Sequence, residues 1–272
     1  MAVAATASAN AVPLAAVSSP SCPAFTFVGA RGSGETDKNF DGMGPEVMTA
    51  FKEMQGKLGA TVIRSVPVKY TAADVDVLRK LYPAEQLLLG LAVLGPLPAR
   101  PSATVAFTAS YKINHLDRFT ASINEGITNA VATITSEAGR CGRTRFVLAG
   151  YSQGAMVMHQ VLLRLEGNRV LYPRIAATVL IADGDRKKET AATRFGTAEF
   201  TAEGIRSAFT VGEKDVPSSK ASSTYDICNA GDIVCDFHLA MLRDSKPGEN
   251  VHTGYTNSRL VKNVAIRVAG TL

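Results

Sequence analysis

Arg145-Phe146-Val147-Leu148-Ala149-Gly150-Tyr151-Ser152-Gln153-Gly154 is the stretch that decides the fold. An apolar run long enough for one buried strand meets a Gly-x-Ser-x-Gly turn, and the residues that follow, Gln153 to Leu165, read as a helix. A serine pushed above a sheet at such a turn is held in a strained conformation. Small residues on both sides, here Gly150 and Gly154, supply the clearance. The helix then aims its N-terminal dipole at any negative charge developing beside the serine. Ser152 is therefore the candidate nucleophile.

Working outward, Ala24 to Gly29, Thr61 to Val68, Ile175 to Ala182 and Ile205 to Val211 also read as strands. Pro45 to Leu58 reads as a helix. From Leu116, Phe119, Ile123, Ile127, Ala130 and Ile134 recur at helical steps, and Asn257 to Val268 reads as a terminal helix. Strands separated by helices imply βαβ units and a parallel sheet. The expected architecture is α/β: a single-domain α/β-hydrolase with a central five-stranded parallel sheet flanked by helices, spanning residues 21–272.

A serine hydroxyl needs a base in hydrogen-bond reach and an acid to orient that base, in the chain order Ser, acid, His. The chain has four histidines. His115 precedes the serine and His159 lies about two helical turns beyond it, so both read as structural. His238 sits in the apolar, helix-like run Phe237 to Met241, whereas His252 lies in a loop just before the terminal helix and is the preferred base. Asp232 is the preferred acid, and Asp183 is its rival at the end of the strand after the nucleophile helix. Asp226 and Asp236 read as solvated. The oxyanion hole is expected to combine the backbone N–H of Gln153 with Ser33, in the loop Gly29-Ala30-Arg31-Gly32-Ser33-Gly34-Glu35. That loop's glycine order differs from the dinucleotide fingerprint, so no cofactor is expected.

Four cysteines, Cys22, Cys141, Cys228 and Cys235, fit no metal or redox spacing and read as disulfides. Three connectivities are open. Cys228 and Cys235 bracket a short loop, and Cys22 and Cys141 each precede an apolar strand-like run, which favours pairing them in that way. Loop-closure entropy then assigns roughly 5 kcal/mol to the long link and about 2.5 kcal/mol to the short one. Residues 1–20 are rich in Ala, Val and Ser, lack Lys and Arg, and repeat Ala-x-Ala patterns. They read as a signal-peptide remnant or disordered leader, with secretion as the expectation, extracellular or associated with the cell wall.

The net charge of +5 is scattered, with Arg186-Lys187-Lys188 the one tight cluster, so nucleic-acid binding is excluded. Leu87 to Pro98 is apolar and too short to span a bilayer. It reads as buried or, alternatively, as a lid near the site.

Together, Ala30-Arg31-Gly32-Ser33-x-Glu35, Gly150-Tyr151-Ser152-Gln153-Gly154-Ala155, Cys228-Asn229-x-Gly231-Asp232-x-Val234-Cys235 and His252-x-x-Tyr255 resemble the cutinase family. The resemblance implies the same Ser152, Asp232, His252 triad, an oxyanion hole from Ser33 and Gln153, the disulfide pairing above and no metal or organic cofactor. It implies cleavage of carboxylic esters: cutin or other polyesters, lipids, or short- to medium-chain esters. Acyl transfer, cell-wall lipid de-esterification and carbohydrate de-acetylation are the alternatives on the same triad. The expected partners are an ester or lipid substrate and a transient lipid or cell-wall surface, met by a monomer. Two stretches look longer than in the small fungal members: Tyr70 to Asn114, and the gap from Asp232 to His252. Both bear on the substrate rather than on the mechanism.

Overall fold

The computed structural model describes residues 22–74, 103–208, 214–242 and 244–272. The expected leader, the Leu87 to Pro98 segment and the side chain of His115 lie outside the described residues. In chain order the elements are β1 (Phe25–Ala30), α1 (Pro45–Leu58), β2 (Ile63–Pro67), α2 (Ala103–Arg140), β3 (Arg145–Tyr151), α3 (Gln153–Leu165), β4 (Ile175–Ile181), β5 (Thr193–Phe195), β6 (Thr224–Ile227), α4 (Lys246–His252) and α5 (Arg259–Ala269).

The strands form one sheet in the order β2-β1-β3-β4-β6-β5, and every neighbouring pair is parallel. Successive residues of a strand point to opposite faces, which splits the core into two layers. Val147, Ala149 and Tyr151 of β3 face the side that packs against Val47 and Phe51 of α1 and Val261, Val264 and Val268 of α5. Phe146 and Leu148 face the other side, with Ile123, Ala130 and Ile134 of α2 and Val157, Val161 and Leu162 of α3. A disulfide between Cys22 and Cys141 ties the entry to β1 to the loop before β3.

Among the described residues the sheet has six strands, not the expected five. β5 and β6 are three and four residues long, too short for an alternating pattern to register, and β6 carries the polar Asp226. Of the expected strand Ile205 to Val211, Ile205–Ala208 is a 3-10 turn instead, and the remainder lies outside the described residues. That turn docks on loops, with Ile205 N–H donating to the Val234 carbonyl at 2.7 Å and Arg206 N–H to that of Gly184 at 3.0 Å.

From β1 the chain places β2 on one side and β3 on the other. The crevice above the carboxyl ends of β1 and β3 is therefore the switch point where α/β sheets bind ligands. Ala30 pairs with Gly150 across that boundary, so the loops after β1 and after β3 leave the sheet side by side.

Candidate active site

Ser152 stands between β3 and α3 at φ 54° and ψ −119°, a left-handed conformation that costs an L-residue of order 1–3 kcal/mol. The surrounding packing enforces it. A Cβ on Gly150 would lie 2.1 Å from the Gly154 carbonyl oxygen, and one on Gly154 would lie 2.2 Å from that of Ala30. Neither position accepts a side chain, because both obstacles are backbone. Ser152 donates its own N–H to the Ile181 carbonyl at 2.8 Å, which anchors the turn to β4.

α4 ends in His252. His252 Nε2 lies 3.0 Å from Ser152 Oγ, and Nδ1 lies 3.0 and 3.1 Å from the two Asp232 carboxylate oxygens. A carboxylate accepts only, so Nδ1 carries the hydrogen and Nε2 is left to accept from the serine hydroxyl. Asp232 is fully buried, and its Oδ1 also accepts the Val234 N–H at 2.7 Å and the Cys235 N–H at 3.3 Å. The Cys228–Cys235 disulfide closes the loop that carries it.

Two tyrosines complete the setting. Tyr151 stacks on the His252 ring at 5.1 Å and donates its hydroxyl to the His252 carbonyl at 2.8 Å. Tyr255 is fully buried and accepts the Asn229 N–H at 2.8 Å. Burial first, and then the Asp232 charge, push its phenol far above the ordinary tyrosine range, so it stays neutral. The sequence reading assigned Tyr151 no role. Its place beside the serine was the available signal, since the side chain before Ser152 must turn to the other face.

The loop after β1 is braced from inside. Arg31 is buried, donates Nε–H to the Glu35 carbonyl at 2.8 Å and reaches the Tyr70 carbonyl, while the Tyr70 hydroxyl returns to the Arg31 carbonyl. Ser33 donates its hydroxyl to the Ala73 carbonyl at 2.6 Å. As the first residue of α3, Gln153 has a backbone N–H with no acceptor inside the helix. Its side-chain oxygen accepts from Ser122 Oγ at 3.3 Å. A cavity of about 480 Å³, lined by Thr71, Ala73, Asp74, Arg118, Phe119 and Ser122 among others, adjoins these residues.

The remaining candidates lie elsewhere. His159 and Asp183 pair with each other at 2.7 Å, both buried. The His238 side chain is exposed, 3.2 Å from Asp236. Asp226 and Asp236, read as solvated, are buried instead. Asp226 accepts from Arg186 Nε at 2.7 Å, and Asp236 accepts the Gly231 N–H at 2.7 Å. Asp226 found its partner 40 residues away, whereas Asp236 folds back on its own loop, on a glycine five residues earlier.

A helix-flanked parallel sheet with a strained serine between its third strand and the following helix is the α/β-hydrolase fold. The chain belongs to the cutinase family, whose profile matches residues 88–267, more than half of its length. It is 30% identical over 151 residues to Cutinase CUT2 of Pyricularia oryzae, covering 56% of this chain and 55% of that protein. The chain thus spans about half the length of this relative. Among solved structures it resembles a cutinase-like protein from Cryptococcus sp., with TM-score 0.61, 19% identity, and coverage of 91% of this chain and 94% of that one. It also resembles the catalytic core domain of acetyl xylan esterase from Trichoderma reesei, with TM-score 0.60, 20% identity, and coverage of 93% and 100%. At these identities the likeness is one of fold.

Proposed function

We propose that this protein is a serine hydrolase of carboxylic esters, with Ser152 as nucleophile, His252 as base and Asp232 as the acid that orients it. The observation that carries this reading is His252, whose two ring nitrogens bridge Ser152 Oγ and the Asp232 carboxylate at about 3 Å each. His252 Nε2 takes the serine proton as Oγ attacks the ester carbonyl, and Asp232 holds the imidazole and stabilises its cation. The oxyanion is received by the Gln153 N–H at the head of α3 and by Ser33, whose hydroxyl would leave Ala73 to reach it. Imidazolium then protonates the departing alcohol, and the acyl group stays on Ser152. Water, activated by the same histidine, releases the acid.

The substrate class is an aliphatic or acetyl ester, met as a lipid, a polyester or an acylated wall polymer at a surface that the monomer touches transiently. Family membership and the likeness to cutinase and acetyl xylan esterase folds support an ester substrate. The two disulfides support an extracellular setting, because such links persist under oxidising conditions.

The test is hydrolysis of p-nitrophenyl esters from acetyl to palmitoyl by the wild type and by Ser152→Ala. A loss of roughly 10⁴-fold or more is expected in the variant. A short-chain peak would make the protein an esterase, a long-chain peak a lipase. Turnover that survives the substitution would overturn the triad.

A further inference from the structure

Glu35 lies two residues past Ser33 and turns its carboxylate back under its own loop to accept the Gly32 N–H. There it comes within electrostatic reach of a second carboxyl, that of Glu46 in the first turn of α1. Glu46 is 3% exposed. Its Oε1 accepts the Thr256 hydroxyl, four residues past His252, and its buried Oε2 has no hydrogen-bond partner among the described residues. The contact is built in. A Cβ on Gly44 would stand 2.1 Å from Glu35 Oε2, so residue 44, at φ +79°, has to be glycine for the carboxyl to fit.

Two carboxylates in contact in a buried place cannot both be ionised without strong repulsion, and a carboxylate pair has no hydrogen to share unless one member keeps its proton. A single proton satisfies the orphan Glu46 oxygen and turns repulsion into a bond. We propose that Glu35 and Glu46 share one proton, and that this pair is a positioning device holding the Ser33 loop in register with the segment that follows His252. The proposal rests on the reading of Ser33 as an oxyanion donor.

The groups facing the pair are Arg31 on the same loop, Tyr70 after β2, Thr256 before α5 and, across Gly34, the Asp74 carboxylate. Burial, and then Glu46, raise Glu35 to about 8, and Arg31 and the Gly32 N–H only partly offset them. Glu35 therefore keeps a proton at neutral pH. Above about 8 Glu35 loses that proton, and with it the shared bond that ties the Ser33 loop to α1.

The experiment measures kcat on a short p-nitrophenyl ester at about pH 7.5 and about pH 9.5, with Ser152→Ala as background, for the wild type, Glu46→Gln and Glu35→Ala. An amide at 46 donates permanently to a Glu35 carboxylate and needs no proton. The wild-type kcat is expected to fall about tenfold across this range and that of Glu46→Gln by less than about twofold, with KM steady in both. Glu35→Ala is expected to lose about tenfold in kcat at the lower pH, short of the roughly hundredfold for deleting an oxyanion donor. His159, which also titrates near this range, is common to all three proteins. Infrared difference spectra of wild type against Glu46→Gln read the proton without turnover, as a protonated-carboxyl band expected in the wild type alone. A missing band, or an alkaline fall unchanged in Glu46→Gln, overturns the pair alone. A wild type without Ser152-dependent hydrolysis overturns the proposed function as well.

Discussion

His159 Nδ1 lies 2.7 Å from the Asp183 carboxylate, and both side chains are 1% exposed. The pair joins α3 to the loop after β4, and around it Asp185 accepts from Gln160 and Arg206. Burial pulls the His159 pKa down, but the Asp183 charge outweighs it and raises the imidazole to about 9. A folded value above the unfolded one means the stabilisation is complete below about 6.5 and lost as pH rises through about 9. The expected loss is about 3 kcal/mol. Urea unfolding of the wild type at about pH 6 and about pH 9.5 should show it, and the decline should shrink in Asp183→Asn.

The two rival aspartates should part in their phenotypes. Asp183→Asn strands a buried imidazole and is expected to cost about 3–5 kcal/mol near pH 6, with kcat of the folded protein within about threefold. Asp232→Asn is expected to leave stability nearly intact and lower kcat by about 10⁴, because an amide can hold the imidazole in the wrong tautomer. Urea midpoints and steady-state kinetics on both variants check this, and equal kinetic losses would make the assignment of Asp232 untenable.

The two disulfides should separate in the same way. Cys22–Cys141 closes a separation of 119 residues far from Ser152, and its double serine variant is expected to lose about 5 kcal/mol with kcat unchanged once folded. Cys228–Cys235 closes a separation of 7 residues around Asp232. Its removal is expected to cost about 2.5 kcal/mol and also to lower kcat several-fold, as the Val234 and Cys235 N–H groups lose their hold on the carboxylate. Chemical denaturation paired with ester kinetics distinguishes the two effects.

What the sequence determined by itself is local. The strand before Ser152, the glycines around it and the helix from Gln153 to Leu165 are readable because they obey rules among adjacent residues: alternation, steric clearance and helical period. The α1 boundaries, Pro45 and Leu58, are legible for the same reason, a proline in the first turn and Gly59 after the last. The motifs also singled out Ser152, Asp232 and His252 as candidates from their order in the chain. Only the tertiary structure decided which groups meet. β5 and β6 are too short to carry a pattern and exist as strands through pairing, β6 with β4 and β5 with β6. Asp226 is buried because Arg186, 40 residues earlier, supplies its counter-charge. Glu46 lies within electrostatic reach of Glu35 and accepts the hydroxyl of Thr256, 210 residues away. Such partnerships follow from strand order and from which loops leave the sheet together, and charge compensation across space has no periodicity along the chain to reveal it.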